Sequence, residues 1–376
     1  MKLGIVGLPN TGKSTVFNAI MQTGAESANY PFSTISPNVG MVPVPDERLN
    51  VLDDMYKPKV VTPATLEMVD IAGLVQGASK GEGLGNQFLS YIREVDALVH
   101  VLRCFEDEEI PFVYETIDPL RDIETINLEL VIADLDLVER RLEKAGKAKK
   151  NEKLYPREAE ALKILQETLT DGGSARNIDW EVPEDAKYAK SLNLLSDKPM
   201  LYALNVHESQ MSEIGEASGG ASDGGEAKHP YLKVVKAHAE AEGSQVFVVC
   251  AKIEEEISAL DPEEKGMFLE ELGLKHGSTN RIITAGYELL GLISFLTAGP
   301  KEVRAWTIRR GLKAPQAAGK IHSDLERGFI RAEVVAFDDL VRLGSYNGAK
   351  DKGLVRIEGK EYVVKDGDVM LIRFNV

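Results

Sequence analysis

The stretch Gly7-Leu-Pro-Asn-Thr-Gly12-Lys13-Ser14 constrains this chain more than any other part of it. It fits G-x-x-x-x-G-K-[ST] and lies between an apolar run, Leu3 to Leu8, and a segment that reads as a helix beginning near Lys13. Strand, glycine-rich turn and helix together turn backbone N–H groups inward on phosphates. Lys13 then reaches the β- and γ-phosphates, and the Ser14 hydroxyl is a ligand for Mg2+. The expected cradle is Asn10, Thr11, Gly12, Lys13, Ser14 and Thr15.

Such a loop needs a parallel sheet behind it, and the apolar runs supply one. Ala64 to Ile71, Ala97 to Arg103, Met200 to Asn205 and Gln245 to Ala251 are short, apolar and bounded by turn residues, as buried parallel strands are. The chain has 376 residues, more than the about 250 to 300 that one core sustains. Between the third and fourth of these five runs, Leu128, Val131, Leu135, Val138 and Leu142 recur at spacings of three and four. Tyr155, Ala159, Leu162, Leu165 and Leu169 follow, which predicts an inserted helical hairpin. Met211 to Lys228 is Gly, Ser, Ala and Glu with almost no large apolar residue, the composition of a flexible loop. A helical stretch is expected over 279–296, and the last 75 or so residues read as short strands, such as Val369 to Phe374 after the Lys-Asp-Gly-Asp turn. The expected architecture is α/β: a nucleotide-binding domain over 1–125 and 198–285, a helical insertion over 126–197, and a small α+β domain over 290–376.

Asp70-Ile-Ala-Gly73 closes the second strand, where a carboxylate can hold Mg2+ through water and the Gly73 amide can meet a γ-phosphate. The next residue, Leu74, cannot orient an attacking water as a glutamine would, and the glycine-rich stretch Gly77 to Gly85 reads as a mobile switch. Tyr30-Pro-Phe-Ser-Thr34 lies where a first switch would supply a hydroxyl to the metal, so Thr34 joins Ser14 and Asp70 as a candidate ligand. Asn205-Val206-His207-Glu208 takes the place of the Asn-Lys-x-Asp that reads guanine. Guanine needs an acceptor for N1–H and N2–H2, and Glu208 is one carbon longer than the usual Asp. Asn205 can instead pair with adenine N6 and N7, although His207 and Glu208 also read as plain surface residues. Cys250-Ala251-Lys252 is placed to pack a small-residue loop against the base. Asn10 suits either a monovalent cation beside the phosphates or a tight turn.

Composition narrows the partners. Lys plus Arg total 44 against 60 Asp plus Glu, a formal charge of −16, so the chain does not coat nucleic acid and any RNA contact must be local. Arg140, Arg141, Lys144, Lys147, Lys149, Lys150 and Lys153 are the one basic concentration, fitted to a solvated helix face or to a phosphate backbone. Cys104 and Cys250 have no ligand-like spacing, and the N-terminus lacks a signal-peptide pattern, which suggests a reducing cytoplasm and no membrane.

Taken in this order with Tyr30-Pro-Phe-Ser-Thr-Ile-Ser-Pro-Asn-Val-Gly40 and Asp70 to Ser79, these motifs resemble those of the YchF or Obg-like ATPase family over essentially the whole chain. The resemblance implies a C-terminal β-grasp-like TGS domain, ending in Asp366-Gly-Asp-Val-Met-Leu-Ile-Arg-Phe-Asn375. It further implies an ATPase that also accepts GTP, needs Mg2+, and binds ribosomes through its helical and TGS domains as a monomer. Leu74 stands at the catalytic-glutamine position, and potassium is implied near Asn10. Family members often carry a histidine shortly after the segment that reads Arg103-Cys-Phe-Glu106 here; this chain has Pro111-Phe112-Val113 instead. Lys13, Gly73 and Asn10 are then the expected catalytic groups. Two other outputs stay open: a guanine-preferring GTPase in which Glu208 does the work of Asp, and a nucleotide-gated ribosome-binding module whose hydrolysis is incidental.

Overall fold

The computed structural model describes residues 1–26, 39–71, 83–107, 109–147, 157–214, 229–260, 262–271 and 277–375. Within them the strands are β1 (Lys2–Val6), β2 (Val39–Pro43), β3 (Val60–Thr62), β4 (Thr65–Asp70), β5 (Ala97–Arg103) and β6 (Met200–Asn205). They continue as β7 (Gln245–Val249), β8 (Leu292–Ala298), β9 (Glu302–Arg309), β10 (Phe329–Ala336), β11 (Arg356–Glu358) and β12 (Asp368–Phe374). The chain divides into two compact units, one mainly 1–23 and 67–282, the other mainly 41–66 and 283–376.

One sheet has the order β2-β4-β1-β5-β6-β7, and its strands β4, β1, β5, β6 and β7, which lie almost wholly in the first unit, run parallel. Every residue of β5 and β6 is buried, as the continuous apolar runs require of strands covered by helices. Phe88 and Ile92 of the helix Gly83–Glu94, Ile123 and Ile126 of Pro119–Lys147, and Leu232 and Val235 of Pro230–Ala241 form one core with strand residues Leu98, Leu102, Tyr202 and Leu204. The chain places β4 on one side of β1 and β5 on the other, so the loop after β1 opens at the topological switch point where α/β sheets bind ligands.

The helical insertion has no break at residue 126. Pro119–Lys147 is one helix of 29 residues. Its first half packs on the sheet, while Val131 and Val138 join Leu162, Leu165 and Leu169 of the helix Glu158–Thr170 in a second core. Leu128 does not join the seam but is 52% exposed. Where the two cores meet, the buried Asp134 carboxylate accepts from Leu195 N (2.9 Å), Ser196 N (2.7 Å) and Ser196 Oγ (2.7 Å), tying the helix to the segment that enters β6.

Two further expectations change. The segment from Met211 does not start as loop, because the helix Glu208–Ile214 carries Met211 against the core; residues 215–228 lie outside those described. The helix expected to run to 296 is Ser278–Leu289, since Gly291 takes a left-handed φ of 64° and Leu292 onwards is strand.

The second unit holds the mixed sheet β11-β10-β12-β8-β9-β3. β8 and β9 form an antiparallel hairpin, β12 runs parallel to β8, and Ala314, Ala317 and Ala318 of the helix Ala314–Ile321 pack against Phe295, Ile308 and Val334 in a grasp-like fold. Residues 44–64, between β2 and β4, belong to this unit and not to the nucleotide-binding domain expected over 1–125. β3 pairs in parallel with β9, and Thr62 Oγ1 donates to Glu302 at 2.9 Å. Arg48 spans Asp46 (2.7 Å) and Asp366 (2.7 Å), while Asp366 also accepts from Ser294 N at 2.8 Å. A three-residue strand carries too little pattern to declare its sheet.

Asp134→Ala strands two buried amides and a hydroxyl. The expected loss is about 2–4 kcal/mol, read as a lower melting midpoint. Asp134→Asn, which keeps one acceptor, should recover part of it; an unchanged midpoint for the alanine variant would remove the anchor.

Candidate nucleotide-binding site

The helix Lys13–Glu26 begins at the lysine of the glycine-rich loop, as its sequence predicts. Two loop residues take left-handed backbone, Asn10 (φ 63°) and Gly12 (φ 84°). At Gly12 a side chain would also collide with Asn205, so glycine is required there twice over. The Thr11 hydroxyl donates to Leu8 O at 3.0 Å and is buried, closing the loop on itself rather than facing a ligand.

Asn205 sits at the end of β6 with both ends of its carboxamide bonded: Nδ2 donates to Thr11 O at 2.9 Å, and Oδ1 accepts from Ala251 N at 2.9 Å. It is 4% exposed. The amide expected to face adenine N6 and N7 lines the cavity and also holds two loops together. An asparagine fits because both of its ends are needed, one donor and one acceptor. Next to it Cys250 precedes the helix Ala251–Ser258, and burial pushes its thiol up.

Lys13 Nζ rests on Asp70 Oδ1, and Ser14 Oγ donates to Asp70 Oδ2 at 3.1 Å. Ser14 and Asp70 thus present hard oxygens to one gap, a donor set that suits Mg2+ completed by phosphate oxygens and water. No cluster of three or more His, Cys, Asp or Glu able to hold a metal by itself occurs among the described residues. Thr34, Gly73 and Leu74 lie outside those residues, as do 77–82 of the glycine-rich stretch; residues 83–85 open the helix Gly83–Glu94.

These groups border a cavity of ≈ 760 Å³, large enough for a nucleotide. Asn10, Gly12, Lys13, Ser14, Thr15 and Asp70 line one part of it; Asn205, Val206, Glu208, Cys250 and Ala251 line another. Of the expected residues within the described set, only Thr11 does not line it. Phe105, Asp107 and Ile110 line it unforeseen. They follow β5, and the signal for them was the Arg103-Cys-Phe-Glu106 segment. Arg103 is buried and cations at strand ends rarely are. On the cavity wall Glu208 Oε2 is ion-paired with Lys252 Nζ at 3.1 Å, the two side chains being 43% and 64% exposed.

Similarity to known proteins follows the same map. A protein of Bacillus subtilis (strain 168) named Ribosome-binding ATPase YchF is 53% identical over 374 residues, 99% of each chain. The chain belongs to the YchF family. It is a P-loop nucleoside triphosphate hydrolase. The YchF-GTPase_C family model, described as "Protein of unknown function (DUF933)", matches residues 292–375, and a model described as "50S ribosome-binding GTPase" matches 2–134. Obg-like ATPase 1 of Oryza sativa subsp. japonica is 43% identical across 100% of this chain and 92% of its own. The solved Schizosaccharomyces pombe YchF GTPase superposes with a TM-score of 0.86 at 37% identity, covering 99% of this chain and 97% of that one. YchF relatives thus carry both ATPase and GTPase in their names.

Asn205→Ala leaves the Thr11 carbonyl and the Ala251 amide without partners. Nucleotide affinity is expected to fall by about tenfold or more while the fold survives. Titration calorimetry with ADP reads it, and unaltered affinity would show that the carboxamide does not shape the loop.

Proposed function

We propose that this chain hydrolyses ATP in preference to GTP, with Mg2+, and couples the bound nucleotide to association with the ribosome. The observation that carries the base preference is the Glu208–Lys252 ion pair. Guanine recognition requires a carboxylate that accepts from N1–H and N2–H2, and here the carboxylate already has a cationic partner. An exposed pair of this kind is worth only about 0–1 kcal/mol, so the preference is modest and GTP remains a usable substrate. That magnitude is compatible with relatives named for either nucleotide.

Lys13 supplies the charge that meets the β- and γ-phosphates, exchanging its contact with Asp70 for them. Ser14 and Asp70, with Thr34, would hold Mg2+, which when bound neutralises charge on the phosphates. The Gly73 amide is assigned to the γ-phosphate. Asn10 donates through Nδ2 to Pro111 O at 2.8 Å, so its Oδ1 is the atom that would meet K+. Leu74 and Phe112 have no hydrogen-bonding side-chain atoms with which to orient water. The task falls to backbone amides and the cations, and turnover of the isolated protein is slow.

The ribosome assignment rests on the relatives' names and on the chain's own basic region. Arg140, Arg141 and Lys144 are exposed near the end of the helix Pro119–Lys147, although Asp136 pairs with Arg140. With the grasp-like C-terminal unit read as a TGS domain, they form the surface we assign to ribosomal RNA and protein. No helix among the described residues is long and apolar enough to cross a membrane. A cytoplasmic monomer is the form in which we place this activity.

Three measurements test this reading. Lys13→Ala should abolish phosphate release, and equal turnover would place the activity elsewhere. In competition against a labelled ATP analogue, ADP should displace better than GDP by roughly three- to tenfold; the reverse order would make the chain a guanine reader. Ribosome cosedimentation should differ between ATP, ADP and no nucleotide, and identical binding in all three would leave a hydrolase without a switch.

A further inference from the structure

Arg103 ends β5 directly beside Asn205 at the end of β6. It is 3% exposed. Its donors go to backbone carbonyls: Nε to Phe105 O at 3.1 Å, Nη2 to Asp107 O at 3.2 Å, and Nη1 to Ile110 O at 3.0 Å and Asn10 O at 3.4 Å. The rings of Phe105 and Phe112 lie 4.5 and 5.0 Å from its Cζ. A guanidinium has the fixed fork of donors and the flat faces for this; an ammonium has neither.

The loop so gathered is fastened to the phosphate loop from both ends of one residue. Asn10 O accepts from Arg103, and Asn10 Nδ2 donates to Pro111 O at 2.8 Å. In a trans peptide the C=O and the following N–H point in opposite directions. Drawing the carbonyl of Asn10 toward Arg103 and that of Thr11 toward Asn205 therefore turns the amides of Thr11 and Gly12 the other way. Gly12, whose amide is turned in this way, lines the cavity. The Arg103–Asn10 contact is the longer of the two, so the Asn10 to Pro111 bond carries most of the tie.

We propose that Arg103 is a positioning residue for nucleotide: by holding Phe105, Asp107 and Ile110 against Asn10, it fixes the conformation of the phosphate loop and builds the cavity wall that those three residues form. This rests on the nucleotide site proposed above. Arg103 touches no reacting atom and acts through Asn10.

The test is a double-mutant cycle on the full-length chain, with ADP affinity measured by calorimetry. Arg103→Lys keeps the charge but cannot serve four carbonyls. Asn10→Gly keeps the left-handed turn but loses the bond to Pro111. Each is expected to weaken ADP by about tenfold, and the double variant by clearly less than the roughly hundredfold product, because both cut the same joint. Asp134→Ala, destabilised away from the site, should bind ADP as the wild type does, separating positioning from stability. Binding of Arg103→Lys within about twofold of wild type, or effects that multiply, overturns the proposal. Should Arg103→Lys fail to fold, Phe112→Leu, which removes one ring from the guanidinium, carries the same expectation in smaller measure, and unchanged ADP affinity there overturns it. A wild-type chain that does not bind ADP would instead overturn the reading of the site.

Discussion

A single buried carboxamide, that of Asn205, joins three parts of the chain that are far apart in sequence. It holds a carbonyl of the glycine-rich loop with one end and the first amide of the helix Ala251–Ser258 with the other. Neither bond is strong by itself, about 0.5–1.5 kcal/mol net, but leaving either partner unpaired in that dry setting costs more. The nearby Gly12 has no room for a side chain because Asn205 fills the space. The loop, the sheet edge and the base-side helix consequently keep one mutual geometry, and the cavity between them has a shape before any ligand arrives. Preformed shape of this kind lowers the ordering cost of binding.

Within that frame lysine, serine and aspartate converge beside the glycine-rich loop at one end of the cavity. In the function proposed above, Leu74 and Phe112 stand where a water-orienting side chain would, so the site holds a triphosphate better than it cleaves one. Phe112 packs under the Arg103 guanidinium, so its ring has a definite structural use in this chain. The other end carries a surface ion pair rather than a buried clamp, and on the proposed base assignment small changes around Lys252 would shift nucleotide preference by the modest amounts that exposed charges command.

Much of this was legible in the residues. The apolar runs became β1, β4, β5, β6 and β7 almost residue for residue, because strands buried on both faces leave a continuous hydrophobic trace. The phosphate loop was legible because its chemistry demands specific residues at fixed spacing. What escaped depends on tertiary partners. Whether Asn205 would face a base or a neighbouring loop cannot be read from its own segment, since both uses need the same amide. Phe105, Asp107 and Ile110 line the cavity only because Arg103 curls their loop back, an arrangement with no periodicity to detect. The helix Ser278–Leu289 ends earlier than expected because Leu292, Ile293, Phe295 and Leu296 are apolar enough to fit either period, and Gly291 marks the change.

The segment 44–64 limits how this architecture can be divided. It contributes β3 and the helix Glu47–Tyr56 to the sheet and ion pairs of the second unit, yet it precedes β4 of the first. A C-terminal fragment starting at 283 would lack an edge strand and the arginine that spans Asp46 and Asp366, while the remainder would carry an orphaned strand and helix. No single cut separates the two units cleanly. The grasp-like portion is not a detachable cassette, because its edge is completed by residues more than two hundred positions upstream.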